Sequence, residues 1–158
     1  MKLVKLTQGK FAFVDDDIFE IVNKYKWHVV KRGKNNYASR TCLEGKKKII
    51  YMHRFILDIT NPKEIVDHVD GNGLNNIKKN IRICNTFENA RNSRSRENKS
   101  SIYKGVHFNK KSNKWRAMIC INNKSMHLGM FDNEEDAGKK YDEVAKINYG
   151  EFAKLNFK

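Results

Sequence analysis

The residues with the clearest chemical potential are Asp67 and His68, which follow the short apolar run Ile65-Val66. A neutral imidazole can accept a proton near pH 7, and a carboxylate oxygen is a ligand that hard divalent cations prefer. Together the two side chains could activate a water molecule for hydrolysis. Since a histidine beside an aspartate at a strand end is usually a surface or capping residue, the flanking sequence has to decide between the two interpretations.

The segment around this pair contains the elements that would position it. Residues 65–66 predict a strand that ends at the Asp-His pair, residues 70–73 (DGNG) predict a turn, and the alternation in residues 81–84 predicts a second strand. Asn85 stands three residues before Glu88, which is the spacing of a capping box, so a helix is predicted to begin there.

The stretch VDHVDGNGLNNIKKNIRICNTFENARN, preceded by MHRFIL, closely resembles the HNH nuclease motif in the form found in phage homing endonucleases. The match covers residues 50–93, and LTQGKFAFVDDD, YKWHVV and YASR upstream resemble the N-terminal part of such proteins. The resemblance implies a ββα-metal nuclease module over residues 1–97 that hydrolyses phosphodiester bonds of duplex DNA, as a phage homing enzyme does.

The resemblance also assigns roles to individual positions. The family has Asp-His on the first strand, Asn in the following loop, and Asn or His on the short helix; here these are Asp67-His68, Asn80 and Asn89. His68 is then the general base, and Asn80 orients it and steadies the loop. Asp67 and the amide oxygen of Asn89 are the expected ligands of a divalent cation, Mg²⁺ or alternatively Mn²⁺.

Basic side chains around the motif are expected to bind backbone phosphates, and the alternative for each of them is a solvated surface charge. They are Arg54, Lys78, Lys79, Arg82 and Arg91. His53, in MHRF, recurs in this motif family ahead of the catalytic strand. It is expected to be a structural residue or a phosphate contact rather than a second base.

Upstream of the motif, the pattern predicts a mixed α+β scaffold. The predicted elements are a strand at 11–14, a helix at 15–26, and strands at 27–30, 37–42 and 48–53 separated by turns at Gly33 and Gly45. The polar segment 92–101 (NSRSRENKSS) predicts a linker with a domain boundary between residues 97 and 98.

The second half predicts a three-stranded antiparallel sheet backed by one helix. The predicted strands are 101–108, 114–121 and 124–130, with a tight turn at Asn122-Asn123. Asp132 or Asn133 caps the helix that follows. From Lys99 to Lys124 there are seven basic residues and no acidic one, so the sheet should carry the positive face.

Residues 98–158 are similar to the APETALA2/ERF DNA-binding domain along nearly their whole length. The matching features are YKGV at 103–106, WRA at 115–117, HLGMF at 127–131, the helix start at 134–141 and AKLNF at 153–157. The family lays its sheet in the major groove and reads bases from its strands. Lys104, His107 and His127 replace base-reading residues of the plant members, so the plant target sequence does not transfer.

The similarity makes several residues of this region candidate DNA contacts. They are Lys104, His107, Asn109, Lys110, Lys111, Trp115, Arg116 and Lys124. For Trp115 the alternative is packing between the sheet and the helix, and the sequence leaves both interpretations open.

Composition narrows the function classes. A formal charge of +14 over 158 residues favours a polyanionic partner over a small neutral substrate, and 39% hydrophobic residues exclude a chain that is disordered throughout. The three cysteines are widely spaced, so no structural zinc site is expected, and no apolar stretch predicts a membrane segment or a signal peptide. The chain is therefore expected in the cytoplasm, bound to duplex DNA and without an obligate protein partner.

Two other functions remain to be weighed. A DNA-binding regulator that keeps a catalytically silent nuclease fold would have the same charge and the same second half, and magnesium-dependent nicking would distinguish it from a nuclease. An RNA-binding accessory protein is disfavoured because no RRM, KH or OB signature is present.

Overall fold

The computed structural model describes residues 1–42, 48–92 and 100–157, and the chain divides into two compact units, Met1–Asn89 and Ala90–Lys158. Strands of the described residues form four small antiparallel sheets, accompanied by four α-helices, which confirms the mixed α+β class. The predicted boundary between 97 and 98, most of the predicted linker and the predicted Gly45 turn lie outside the described residues.

The first unit contains seven strands and two helices within its described residues, and a third helix crosses the division between the units. They are β1 (Lys2–Lys5), β2 (Phe11–Val14), α1 (Asp16–Asn23), β3 (His28–Arg32), β4 (Asn35–Cys42), β5 (Lys48–Tyr51), α2 (Met52–Ile56), β6 (Ile65–His68), β7 (Ile81–Cys84) and α3 (Thr86–Arg91). β1 pairs with β2, β6 pairs with β7, and β3, β4 and β5 form a sheet in that order.

Two predictions upstream of the motif need correction, and one strand, β1, was not predicted. The predicted helix α1 ends at Asn23 rather than at residue 26. The chain then turns to bury Trp27, whose indole N–H donates to the Val22 carbonyl at 2.9 Å. The strand predicted at 48–53 stops at Tyr51, because Met52 and Ile56 of α2 are buried one helical turn apart in the core of this unit.

The core of the first unit is one cluster in which one face of the hairpin β1–β2 and the helices take part. Its buried members are Val4, Leu6, Ala12, Val14, Val22, Trp27, Ala38, Met52, Ile56 and Ile81. Ile81 of β7 belongs to this cluster, so the β6–β7 hairpin is anchored to the same core.

The second unit contains β8 (Val106–Asn109), β9 (Lys114–Ile121), β10 (Lys124–Phe131) and α4 (Glu134–Tyr149). The sheet order is β10-β9-β8, and all of its pairs are antiparallel. Asn122 and Asn123 both have positive φ, as a two-residue hairpin turn requires. Asn133 caps α4 by accepting a hydrogen bond from the Asp136 N–H at 2.8 Å.

The helix α4 packs on one side of this sheet through Ala137, Tyr141, Ala145 and Tyr149. The first strand begins at Val106 rather than at residue 101, because Ser101 donates to the Glu134 carboxylate at 2.6 Å instead of pairing in the sheet.

The three cysteines are unpaired. Cys84 is buried, Cys42 is partly buried and Cys120 is exposed. No helix within the described ranges is long and apolar enough to cross a membrane.

Candidate active site and nucleic-acid surface

The β6–β7 hairpin presents the Asp-His pair. In its register Asp67 lies opposite Arg82, and His68 lies opposite Ile81. Both candidate side chains are buried, Asp67 at 7% exposure and His68 at 5%. Because the hairpin is anchored to the core through Ile81, the two functional groups are held on a rigid element.

The loop between these strands is fixed to β2 by backbone hydrogen bonds. The Phe13 N–H donates to the Leu74 carbonyl at 2.9 Å, and the Asn76 N–H donates to the Phe13 carbonyl at 2.8 Å. The carboxylate of Asp15 accepts from the Lys78 N–H at 2.7 Å. These bonds cross long stretches of sequence, so the loop conformation depends on the tertiary fold of the unit.

Asn76, which is fully buried, contacts the imidazole of His68. Its Nδ2 donates to the Leu74 carbonyl at 3.2 Å, so its Oδ1 is the atom that faces His68 Nε2, at 3.3 Å. An amide oxygen can only accept, and therefore Nε2 carries the proton. In the neutral ring the basic lone pair is then on Nδ1.

The surroundings keep this ring neutral. Burial lowers the pKa of His68 below its usual 6.5, against the smaller opposing effects of Asn76, Asp70 and Asp67. At pH 7 the imidazole is therefore in the form that can accept a proton.

Asp67 forms an ion pair with Arg82. Arg82 Nη2 and Nε reach the same oxygen, Asp67 Oδ2, at 2.9 and 3.2 Å. Arg82 is also largely buried, with 13% of its side chain exposed. The phosphate contact predicted for Arg82 therefore competes with this ion pair and stays a prediction.

Asn80 stabilises the loop, and none of the following hydrogen bonds joins its side chain to His68. Its Nδ2 donates to Asp70 Oδ1 at 2.9 Å and to the Asn75 carbonyl at 2.8 Å, while its Oδ1 accepts from the Asp70 N–H at 3.0 Å. The loop-steadying part of its predicted role fits this geometry. Orientation of the imidazole falls to Asn76.

Asn89 lies on α3, the helix that follows β7. The predicted capping box is present: the Glu88 N–H donates to Asn85 Oδ1 at 2.9 Å, and the Asn85 N–H donates to Glu88 Oε2 at 2.8 Å. Asn89 is exposed, and its side chain makes no hydrogen bond to any described residue. The structure brings Asp67, His68, Asn76 and Arg82 into contact, but it shows no contact from Asn89 to them.

A group of aromatic rings surrounds His68. The His53 ring meets it at 5.1 Å between centroids and the Tyr37 ring at 5.8 Å, both edge to face. Burial, with the nearby His68 and Arg54, lowers the pKa of His53 to about 3, so this ring is neutral. Gly73 packs on Tyr37 so closely that a Cβ there would lie 2.5 Å from the ring. His53 is thus part of the wall of the site, as its structural interpretation requires.

Three other basic residues of the motif, Arg54, Lys78 and Arg91, have partners within their own units. Arg54 donates to the carbonyls of Glu64 and Asn61 at 2.8 and 2.6 Å, and Lys78 pairs with Asp17 at 2.7 Å. In the second unit the Arg91 guanidinium lies 4.7 Å from the centre of the Tyr149 ring. The phosphate contacts predicted for Arg54 and Arg91 therefore compete with structural contacts, whereas Lys79 is exposed.

The face of the β8–β10 sheet that is turned away from α4 carries the second group of candidates. Ala117 and Ile119 of β9 are buried in the helix-side clusters, so the alternating Arg116 faces the other way, opposite His107 of β8. We call this surface, formed by His107, Asn109, Lys114, Arg116, Met118, Ser125 and His127, the open sheet face. No strand of this sheet contains an acidic residue.

Three residues that were predicted to contact DNA have other positions or partners in the second unit. Trp115 takes the packing alternative, since its ring lies 4.9 Å from that of Phe108 beside the helix-side core. Lys124 pairs with the helix-side Ile121 and so lies off the open sheet face. Lys104 donates its Nζ to the Arg91 carbonyl.

The loop that joins β8 and β9 holds the other three predicted residues. Lys110 and Lys111 are exposed there. Asn109 uses its Oδ1 to accept from the Lys111 N–H at 3.0 Å, so its side chain closes this loop in addition to lying at the edge of the open sheet face.

Known proteins place the chain in a family. A curated protein of Acanthamoeba polyphaga mimivirus, named an uncharacterized HNH endonuclease, is 31% identical over 150 residues, which cover 94% of this chain and 76% of the relative. The chain belongs to the HNH endonuclease family. Protein 3.8 of Escherichia phage T7 is 28% identical to this HNH chain over 90 residues, or 57% of the chain and 74% of the relative. No family model and no solved structure matches this chain.

The names of these two relatives do not support the similarity of the second unit to APETALA2/ERF domains, so that similarity stays a prediction.

Within the HNH motif, sequence reasoning missed Asn76 and the ring contacts of Tyr37. Nothing in LNNIKKN separates Asn76 from Asn75 and Asn80. Its backbone N–H donates to the carbonyl of Phe13, which is distant in sequence, so its buried position depends on the tertiary fold.

Proposed function

We propose that the chain is a metal-dependent endonuclease that hydrolyses phosphodiester bonds of duplex DNA, with His68 as the general base. The observation that carries the proposal is the buried, neutral imidazole whose Nε2 proton is fixed by Asn76, leaving the lone pair on Nδ1. Membership of the HNH endonuclease family supports the reaction class.

In the proposed reaction His68 Nδ1 takes a proton from a water molecule. The water oxygen forms a bond to phosphorus, and the bond from phosphorus to the departing ester oxygen breaks. Asn76 keeps the ring in the reactive tautomer, and Arg82 holds the Asp67 carboxylate in place beside it. The imidazolium formed by this step is stabilised by the same two carboxylates, Asp67 and Asp70, that raise the pKa of His68.

The donor atoms suit a hard cation such as Mg²⁺, with Mn²⁺ as the alternative. The proposed protein ligands are Asp67 and the Asn89 amide oxygen, as the resemblance to the HNH motif implies. The described residues contain no group of three or more His, Cys, Asp or Glu side chains arranged for a metal. A carboxylate has enough lone pairs to serve Arg82 and a cation together. When bound, the cation would neutralise charge on the phosphate and the leaving oxygen.

A magnesium titration of the cleavage rate tests this ligand set. Asp67→Asn and Asn89→Ala should each raise the magnesium concentration that gives half-maximal rate, since each weakens or removes an oxygen donor. Thr86→Ala, an exposed change on the same helix, is the matched control and should leave the midpoint unchanged. Unchanged midpoints and maximal rates in both ligand variants would show that the cation is held elsewhere.

The second unit is proposed to bind duplex DNA as an APETALA2/ERF-like domain that lays its open sheet face in the major groove. Arg116 and His107 at its centre and the exposed Lys110 and Lys111 beside it support this role, since none of its strands carries an acidic side chain.

A phage-type homing role is the biological part of the proposal, with action on DNA in the cytoplasm of an infected cell. Its support is the viral origin of both relatives.

A further inference from the structure

A pocket of about 340 Å³ opens in the first unit next to the rings that surround His68. The residues that give it chemical character are Arg32, Tyr37, Tyr51, His53, Arg54 and Glu64. Its volume is at the lower end of the range for small-molecule sites, which suits a ligand the size of one nucleotide.

One wall of the pocket is aromatic. Tyr51 and His53 stack with their planes 17° apart and their centres 5.4 Å apart, and Tyr37 stands edge-on to both at 6.2 and 5.9 Å. The two tyrosines are half-buried, so part of each ring remains accessible. Flat aromatic surfaces of this kind bind nucleobases by stacking, with little dependence on sequence.

The pocket also has one cationic group and one acidic group whose side chains are only lightly engaged. Among the described residues, Arg32 makes a single side-chain hydrogen bond, from Nε to Tyr51 Oη at 3.2 Å, so its two terminal nitrogens are available to an anion. The Glu64 carboxylate makes no hydrogen bond to any described residue, while its backbone carbonyl is held by Arg54. A guanidinium suits a phosphate, and a carboxylate suits the amino group of a base.

The pocket is separated from the candidate base by the thickness of one ring. Tyr37 and His53 line the pocket, and both also contact the His68 imidazole. A nucleotide in the pocket can therefore belong to the strand whose phosphate is presented to His68.

We propose that this pocket binds one nucleotide of the cleaved strand, close to the cleaved bond, with its base withdrawn from the duplex stack. The inference rests on the proposed nuclease function and adds a binding site to it. The base packs on Tyr51, its phosphate is bound by Arg32, and Glu64 accepts a hydrogen bond from an exocyclic amino group. Adenine, cytosine and guanine carry such a group and thymine does not, so the pocket disfavours thymine.

The first test uses the full chain and the free nucleotides dCMP and dTMP as probes, without metal or DNA. Calorimetric titration should show dCMP binding more tightly than dTMP, with the difference lost in Glu64→Gln. Tyr51→Leu and Arg32→Gln should each weaken dCMP binding by about fivefold or more, as expected for loss of base stacking or of a charged hydrogen bond. Lys31→Gln, on the neighbouring position of the same strand, is the control and should change nothing.

The second test distinguishes a nucleotide of the strand from a free mononucleotide. Once the cleaved bond is mapped, each nearby nucleotide is left unpaired in turn, because an unpaired base costs less to withdraw. Duplex binding should tighten at one position in the native chain and not in Arg32→Gln.

If dCMP does not bind, or if Arg32→Gln leaves its affinity unchanged, the pocket assignment is wrong even if the protein cleaves DNA. Binding of free dCMP without a sensitive position in the duplex overturns the placement of the strand. Since dCMP binding needs no catalysis, a chain that binds dCMP but does not cleave DNA contradicts the proposed function and not the nucleotide site.

Discussion

Asn76 is buried beneath His68, and its amide is held on both sides, by the Leu74 carbonyl and by the imidazole. This arrangement selects one tautomer of the histidine. Asp67 is similarly fixed, by two donors of Arg82. Asn76 and Arg82 therefore orient the two candidate groups, although neither takes part in proton transfer in the proposed reaction.

Replacing Asn76 should reduce cleavage without reducing DNA affinity. In Asn76→Ala the imidazole loses the acceptor that fixes its orientation, so the single-turnover rate is expected to fall about ten- to a hundredfold. The acid limb of the pH profile should move to lower pH, because the hydrogen bond to Asn76 raises the pKa of His68. A variant that cleaves at the native rate with an unchanged pH profile would contradict the role of Asn76.

The pH dependence of the native protein follows from burial of His68. Because its pKa lies below 6.5, the neutral ring predominates at pH 6.5. Cleavage measured as kcat/KM should therefore show an acid limb whose midpoint lies below pH 6.5. An acid limb centred above pH 6.5 would assign the titration to another group.

At this scale the sequence predicted the candidate pair Asp67 and His68, but it did not predict the side chains that contact them. Asp67 and His68 stand out because their types and spacing match a known motif. Arg82 was expected to meet a phosphate. The sequence did not show that it lies opposite Asp67, because that position depends on the register of the hairpin. Asn76 is identified only by contacts with β2, which no local pattern reveals.

At the scale of elements, some strands were predicted with their observed limits. β2 and β9 cover residues 11–14 and 114–121, as expected. Shorter elements were less predictable, since α2 has only five residues and continues directly from β5. Its helix depends on burying Met52 and Ile56 in the core, which is a tertiary effect.

Gly105 determines how the chain enters β8. Its φ is +79°, and a Cβ would lie 2.0 Å from the Tyr141 ring and 2.7 Å from the Met118 carbonyl oxygen. Gly105→Ala should therefore lower the free energy of unfolding of the second unit by about 2 to 4 kcal/mol, through strain and overpacking.

Gly150→Ala is the matched control for this change. Gly150 also has a positive φ, of +54°, but no atom lies within 4 Å of its Cβ position, so backbone strain of about 1 to 3 kcal/mol is expected without overpacking. Scanning calorimetry compares the two variants. Equal losses would show that the contact with Tyr141 contributes nothing.

At the scale of the whole molecule, the charge of +14 is shared by two units, and the proposal gives them different tasks. The composition predicted a polyanionic partner, which agrees with membership of the HNH endonuclease family. Composition could not show that Arg54 and Arg82 are engaged within the protein, because their contacts with backbone carbonyls and with a carboxylate depend on how the chain folds.

A fragment of residues 98–158 should bind duplex DNA by itself, with an affinity that falls as salt rises. Each phosphate contact contributes about −0.9 to the slope of log K against log salt. Arg116→Ala should make that slope shallower by about this amount, because Arg116 lies on the open sheet face. Lys139→Ala is the control, since Lys139 is on α4 and pairs with Glu135. Equal slopes in the two variants would contradict the assignment of this face.

The central claim is that His68 is the base of a metal-dependent nuclease, and cleavage of supercoiled plasmid tests it most directly. The native chain with magnesium should convert the plasmid to nicked or linear DNA, and EDTA should stop the conversion. His68→Ala should lose about a hundredfold or more in rate while retaining DNA affinity. His28→Ala, at an exposed histidine of β3, should cleave normally. Cleavage by His68→Ala at the native rate, or native cleavage that persists in EDTA, would contradict the account.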